Sequence, residues 1–246
     1  IYYGGEYTSR DINKAIHYST LAANQNDANA QFLLGFIFFT EKYNHENAKK
    51  GRYYLMMASK NRFKESHFHV GFLYHEGKYV DQDIEKAVHY YKEGSSLNDQ
   101  HAKNNLGIIY KNGFHDKIQP KIGLAIEYFE EAIRQKSGGV AMYNLSNIYI
   151  YDERVNQNID KSIGLLIRSF NQGFQPSLVL LSIVLIKKVI SFNSFNYSKI
   201  SEEIDKYKEA TNILKSRIGQ TIIFYKLNNA NILEEMNNNF RELEYL

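Results

Sequence analysis

The stretch Ala102–Lys–Asn–Asn–Leu–Gly–Ile–Ile–Tyr110 decides how the rest of the chain is read. It places a small residue, an apolar residue four positions on, a Gly directly after it, and a large residue three positions after the Gly. The same word occurs as Ala30, Leu34, Gly35 and Phe38, and again as Ser66, Val70, Gly71 and Tyr74. It returns with Ser for Gly as Ala141, Leu145, Ser146 and Tyr149, and as Ser177, Leu181, Ser182 and Leu185. The Gly or Ser positions at 35, 71, 107, 146 and 182 are spaced by 36, 36, 39 and 36 residues. A constant period of this length marks a repeat array. Positions i, i+4 and i+8 share one face of a helix with 3.6 residues per turn, so each word predicts a helix.

A second helix follows each first one at a fixed distance. Its small residue is Ala15, Gly51, Ala87, Ala125 or Ser162, with Tyr18, Tyr54, Tyr90, Tyr128 or Leu165 three positions later. Gly5, Gly77 and Gly113 occupy equivalent turns between the halves, and Glu41 and Asp152 replace Gly in the other two. Asp11, Asn47, Asp83 and Asn158 precede the second-helix small residue by four, where a side-chain oxygen can satisfy free amides at a helix start. Pro120 and Pro176 are expected to open helices. The longer spacing divides into two extra residues near Pro120 and one in the Ser137–Gly139 turn. Small residues at helix crossings let neighbouring backbones approach, and a bulky side chain there would overpack the junction.

The segments Ala102–Tyr110 and Gly77–Lys–Tyr–Val–Asp–Gln–Asp–Ile–Glu–Lys–Ala87 resemble the Sel1-like repeat, a relative of the tetratricopeptide repeat, and Gly5–Ala15 with Tyr18 and Ala22–Ala23 is similar to its second half. The resemblance covers roughly residues 1–186. It implies an all-α, right-handed solenoid of stacked helix–turn–helix repeats with an atypical helical C-terminal cap. The solenoid is expected over 1–190, with its first repeat incomplete, and the cap over 191–246. Residues 41–51 depart from the pattern, with no turn Gly and with Gly51 for Ala. Beyond Ile186 the register dissolves, but 197–218 makes an amphipathic helical pattern through Ile200, Ile204, Tyr207, Ala210, Ile213, Leu214 and Ile218. A second pattern runs over 220–244, crossed by an Asn-rich stretch at 228–239. Terminal repeats have no onward neighbour, and a polar cap is the usual solution.

Composition bears on chemistry mainly by exclusion. The 246 residues include no Cys, which removes disulfides, thiolate metal sites and thiol nucleophiles. Thirty Lys and Arg against 27 Asp and Glu give a net charge of +3, scattered along the chain, so no nucleic-acid partner is expected. The longest apolar runs, Phe32–Phe39 and Leu178–Ile186, are far short of the ~20 residues that cross a bilayer, so no membrane insertion is expected. The chain opens at Ile1 in the middle of a repeat and is taken as part of something longer, with a cytoplasmic location expected.

No catalytic, cofactor-binding or metal-binding residues are expected. His67 and His69 stand two apart, on different helix faces, and His17 and His89 occupy the same place in two repeats. Glu130–Glu131, Glu202–Glu203 and Glu234–Glu235 are adjacent on helices and cannot face one another. The sequon at Asn144 falls inside a packed helix; a second starts at Asn196. The Tyr18, Tyr54, Tyr90 and Tyr128 ladder is assigned to core packing and not to base stacking, because no basic residues interleave with it.

The remaining candidate is a groove on the concave, first-helix side. Its lining by register is Phe36 and Phe39, then Phe72 and His75, then Asn104, Ile108 and Lys111, then Asn147 and Ile150. Phe32, Phe68 and Tyr143 stand either there or against the adjacent helix. Aromatic anchors with amides and a cation suit a peptide, the rings supplying energy and the amides holding its backbone. The resemblance implies a non-catalytic adaptor that binds a protein or peptide partner. The alternatives are a regulatory repeat region of a larger protein such as a kinase, and a self-assembling spacer. No Gly-rich loop or other kinase word is present.

Overall fold

The repeated words fold into helices throughout the computed structural model, which describes residue 3 and residues 11–40, 45–77, 79–134 and 138–190. These residues form α1 (Ile12–Asn24), α2 (Ala28–Thr40), α3 (His45–Lys60), α4 (Lys64–Glu76), α5 (Ile84–Ser96), α6 (Gln100–Asn112), α7 (Ile122–Ile133), α8 (Gly139–Tyr151), α9 (Ile159–Asn171) and α10 (Pro176–Ile190). No strand occurs among the described residues; Phe114 makes only isolated bridges to Asp116 and Ile118. The architecture is an all-α helical repeat array. The helical patterns expected beyond residue 190 lie outside the described residues, as do Gly5 and Glu41.

The chain divides into two compact units, Ile1–Ala141 and Met142–Leu246. In the first unit, α2 packs on α3, α4 on α5 and α6 on α7, each a first helix on its own second helix. These pairs join through α1 on α2, α3 on α4, α5 on α6, and the two first helices α4 and α6. In the second unit, α9 packs on α10.

The small residues sit where close approach requires them. A Cβ on Gly35 would lie 2.6 Å from Leu55 Cγ, on Gly71 2.7 Å from the Tyr91 ring, and on Gly107 2.7 Å from the Phe129 ring. Ala15, Ala87, Ala125 and Ser162 are buried in the second helices. The residue that fills the space beside each Gly is thus not the ladder Tyr but the one after it: Leu55, Tyr91 and Phe129. The ladder residues stack sideways on the large residue of their own first helix. Phe38–Tyr54, Tyr74–Tyr90 and Tyr110–Tyr128 have centroids 6.1, 5.9 and 5.7 Å apart and interplanar angles of 14°, 5° and 5°. Tyr18, 53% exposed, is a surface residue and corrects the expectation of a fully packed ladder.

The helix ends are built from recurring bonds. Asp11, Asp83 and Asn158 accept from the amides of Lys14, Lys86 and Lys161, as expected of N-caps. Asp27 and Asp99 do the same for α2 and α6 through Ala30 and Ala102, positions the sequence reading passed over. Asn47 is no cap, because α3 already begins at His45. Pro176 opens α10, whereas Pro120 lies two residues before Ile122, the start of α7. The Pro120 insertion is absorbed in the loop: Asp83 and Asn158 amides reach back nine residues to the Tyr74 and Tyr149 carbonyls, and the Lys121 amide reaches back eleven to Tyr110.

Turns from a second helix to the next first helix share one geometry. Asn26, Arg62, Asn98 and Gly173 all have positive φ, at 67°, 59°, 63° and 89°. In each, the following amide bonds back to the helix, Asp27 to the Ala22 carbonyl, Phe63 to Ala58, Asp99 to Gly94 and Phe174 to Ser169. This is a left-handed helix stop that satisfies the last carbonyls.

Candidate functional site

Three of the proposed groove residues of the first unit, Phe36, Phe72 and His75, belong to a row of rings on its first helices. On α2, Phe32 and Phe36 lie 6.4 Å apart, and Phe32 meets Phe63 at 4.9 Å and His69 of α4 at 5.4 Å. His69 touches Phe68 at 5.0 Å, and Phe68 reaches His101 of α6 at 5.3 Å and Phe72 at 6.1 Å. His75 lies 6.1 Å from Phe114 and 6.2 Å from Tyr91. Phe72 is 39% exposed and gives the row an open apolar edge. Burial holds His69 below the ordinary imidazole range; Asp99 and Glu65 oppose the shift and His101 adds to it. Burial does the same to His75 against Glu76. Neutral imidazoles are the natural members of an aromatic row, because the charged form would lose its water.

The other candidates divide. Ile108 and Lys111 are half-buried on α6. Asn104 is buried, as is Ile150, so neither lines a surface. Ile150 belongs to the core of the second unit with Ile163, Leu166, Leu180, Leu181 and Val184. Phe39 turns inward in the first unit, against the Leu55, Val70 and Leu73 cluster and 5.5 Å from Tyr79. The spacing put all three on the groove side, but a helix face two residues wide includes its inward edge. In the second unit, Asn147 donates to the Tyr143 carbonyl at 2.9 Å, and Tyr143 packs edge-on at 5.4 Å from Phe174. Phe32, Phe68 and Tyr143 therefore contact neighbouring segments.

One recurring polar position escaped the sequence reading. In α2, α4 and α6 the residue after the first-helix small residue is Gln31, His67 or Lys103, and all three are buried. Gln31 bonds Asn26 at 3.2 Å and accepts from Asn61 at 2.8 Å. The His67 Nδ1 lies 2.9 Å from the Phe63 carbonyl and its Nε2 3.5 Å from Glu93. Lys103 donates to Asn98 at 2.8 Å and sits 3.3 Å from Glu131. Burial of such groups is tolerated because each is bonded. Helical spacing alone does not separate these residues from exposed polar ones.

Among the described residues, no group of His, Asp or Glu is arranged to hold a metal ion, and no helix is long and apolar enough to cross a membrane. His17 and His89 hold equivalent exposed places, edge-on to Tyr18 and Tyr90 at 5.1 and 5.4 Å.

Comparison with known proteins gives a consistent result. The family model described as "Sel1 repeat" matches residues 1–27, 64–99, 100–137 and 139–174. The structure is similar to a Sel1 repeat protein from Oxalobacter formigenes, with a TM-score of 0.66, 21% identity, and coverage of 74% of this chain and 71% of that one. It is also similar to a protective antigen of uropathogenic Escherichia coli with an SLR fold, with a TM-score of 0.50, 18% identity, and coverage of 76% and 47%. Helicobacter pylori cysteine rich protein B matches at a TM-score of 0.41 with 27% identity, covering 55% of this chain and 96% of that one. No curated protein matches the sequence.

Proposed function

This chain belongs to the Sel1 repeat family, and from that premise we propose that it is a non-catalytic scaffold that holds a protein or peptide segment on the first-helix face of its first unit. Repeats of this family are generally protein-interaction modules and generally non-catalytic. Extended repeat surfaces suit that work because successive pairs present equivalent positions to one long ligand.

The observation that carries the reading is the ring row from Phe36 through His69 and Phe68 to His101, with Phe72 open at its edge. Rigid aromatic side chains lose little entropy on binding and supply most of the energy at interfaces. Half-buried Ile108 and Lys111 extend the surface along α6.

The test is quantitative capture. A partner recovered with the full chain is titrated against Phe72→Ala and Lys111→Ala variants. Phe72→Ala is expected to weaken binding by about 2 kcal/mol with a nearly unchanged melting midpoint. Unchanged affinity across both variants would sink the reading, as would turnover abolished by one substitution, or concentration-dependent size without saturable binding.

A further inference from the structure

A second surface lies on the opposite helices of the first unit. A cleft of about 760 Å³ opens between α3 and α5, floored by His67 of α4. Its volume is within the range of side-chain-accepting pockets. One wall carries Arg52, Lys60 and Arg62, interleaved with Tyr53 and Met56. The other wall carries Tyr90 and Glu93, and Glu93 is held between His67 Nε2 at 3.5 Å and His89 Nε2 at 3.8 Å.

All three cations come together only in this repeat; in the α7 repeat Arg134 and Lys136 take the places of Lys60 and Arg62, but Ile126 takes that of Arg52. At the same positions the preceding repeat has Ile16, Asn24 and Asn26, and the following one has Val88, Ser96 and Asn98. Both flanking repeats are thus neutral at all three places, and the cations gather on one wall of this cleft. Arg62 sharpens the point. It adopts φ +59°, where the equivalent turns use Asn26, Asn98 and Gly173, residue types that enter the left-handed region easily. Helix α3 also lies wholly within residues 28–63, which the family model leaves unmatched. Among the described residues no carboxylate forms an ion pair with any of the three cations. Arg52 gives one guanidinium N–H to the Tyr79 carbonyl at 3.3 Å and retains its others. Tyr53 is 58% exposed beside them.

We infer that the α3–α5 cleft is a second docking site, for an acidic peptide segment carrying a large apolar side chain. Lys60 and Arg62 meet its carboxylates, while Tyr53, Met56 and Tyr90 receive the apolar group. Apolar anchors beside cations fit such a segment better than a polyphosphate, which the Glu93 wall would repel. This site is independent of the first-helix face, and either can fail without the other.

The experiment uses the full chain and a fluorescein-labelled octapeptide of alternating Glu and Leu, followed by anisotropy. The variant Lys60→Ser/Arg62→Asn imports residues that this fold already uses at those positions, so its melting midpoint should not fall. It is expected to weaken the peptide about tenfold, and added salt should weaken the wild-type complex in the same direction. Lys92→Ser, on α5 outside the cleft, should leave affinity unchanged. The inference is overturned by the absence of saturable binding, by equal affinity in the double variant, or by an equal loss in Lys92→Ser. Competition by a single-stranded octanucleotide as strong as by unlabelled peptide would overturn it in favour of nucleic acid.

Discussion

Gly107 and Gly164 show how differently one residue type can be constrained. A Cβ on Gly107 would sit within 2.8 Å of three Phe129 ring atoms, whereas one on Gly164 would meet nothing within 4 Å. Gly107→Val should therefore cost about 1–3 kcal/mol by overpacking. Gly164→Ala, exposed in the middle of α9, should stabilise by about 0.5–1 kcal/mol through lost chain entropy. Chemical denaturation of both variants checks the pair. The half-buried imidazoles of the ring row add a pH dependence. His69 and His75 are held below their ordinary value, so the unfolded chain binds protons more readily than the folded one. Stability is then full above about pH 6.5 and declines as pH falls below that unfolded-state value. Replacing both with Gln should flatten the melting-midpoint profile between about pH 7.5 and 5.5. The Gly positions were legible in sequence because their steric demand repeats at constant spacing. Their partners were not: Tyr90 and Tyr91 are both large, and a one-residue step turns a side chain by about 100° around the helix.

Helix ends carry the next level of specification. The Asp99 side chain, on a residue only 3% exposed, accepts from the Ala102 amide at 2.8 Å, and its own amide closes the left-handed stop of α5. Asp99→Ala should cost about 1–2 kcal/mol, and Asp99→Asn markedly less, since Asn caps as well as Asp. Thermal unfolding of the two variants separates lost capping from lost charge. Caps on second helices could be read from the chain because they stand four before a visible small residue. Asn47 misled because α3 begins at His45, before the repeat register would start it. The left-handed turns were not legible because three of the four positions, Asn26, Arg62 and Asn98, carry side chains where glycine is the usual sign.

Within the first unit, helices touch their sequence neighbours or the next first helix, as α4 touches α6. Stability in such an array is a sum of repeat and nearest-neighbour terms. Gly107→Val should therefore lower amide protection most in α6 and α7, less in α4 and α5, and least in α1, by hydrogen exchange with mass spectrometry. Uniform loss across the unit would contradict that locality. The array was legible from five words in register, whereas the surroundings of the residues assigned to the groove were not. Of these, Phe36, Phe72 and His75 join the ring row. Ile150 and Asn104 are buried, because occupancy of a helix edge depends on the neighbouring helix and not on the residue's own spacing. The near-parallel phenol pairs Tyr74–Tyr90 and Tyr110–Tyr128 have an optical consequence. The chain has no Trp, so no indole masks its phenol transitions, and two chromophores locked face to face couple far more strongly than isolated ones. Near-ultraviolet dichroism thus offers a label-free gauge of two particular repeats, and exchanging Tyr90 or Tyr128 for Phe silences one gauge at a time.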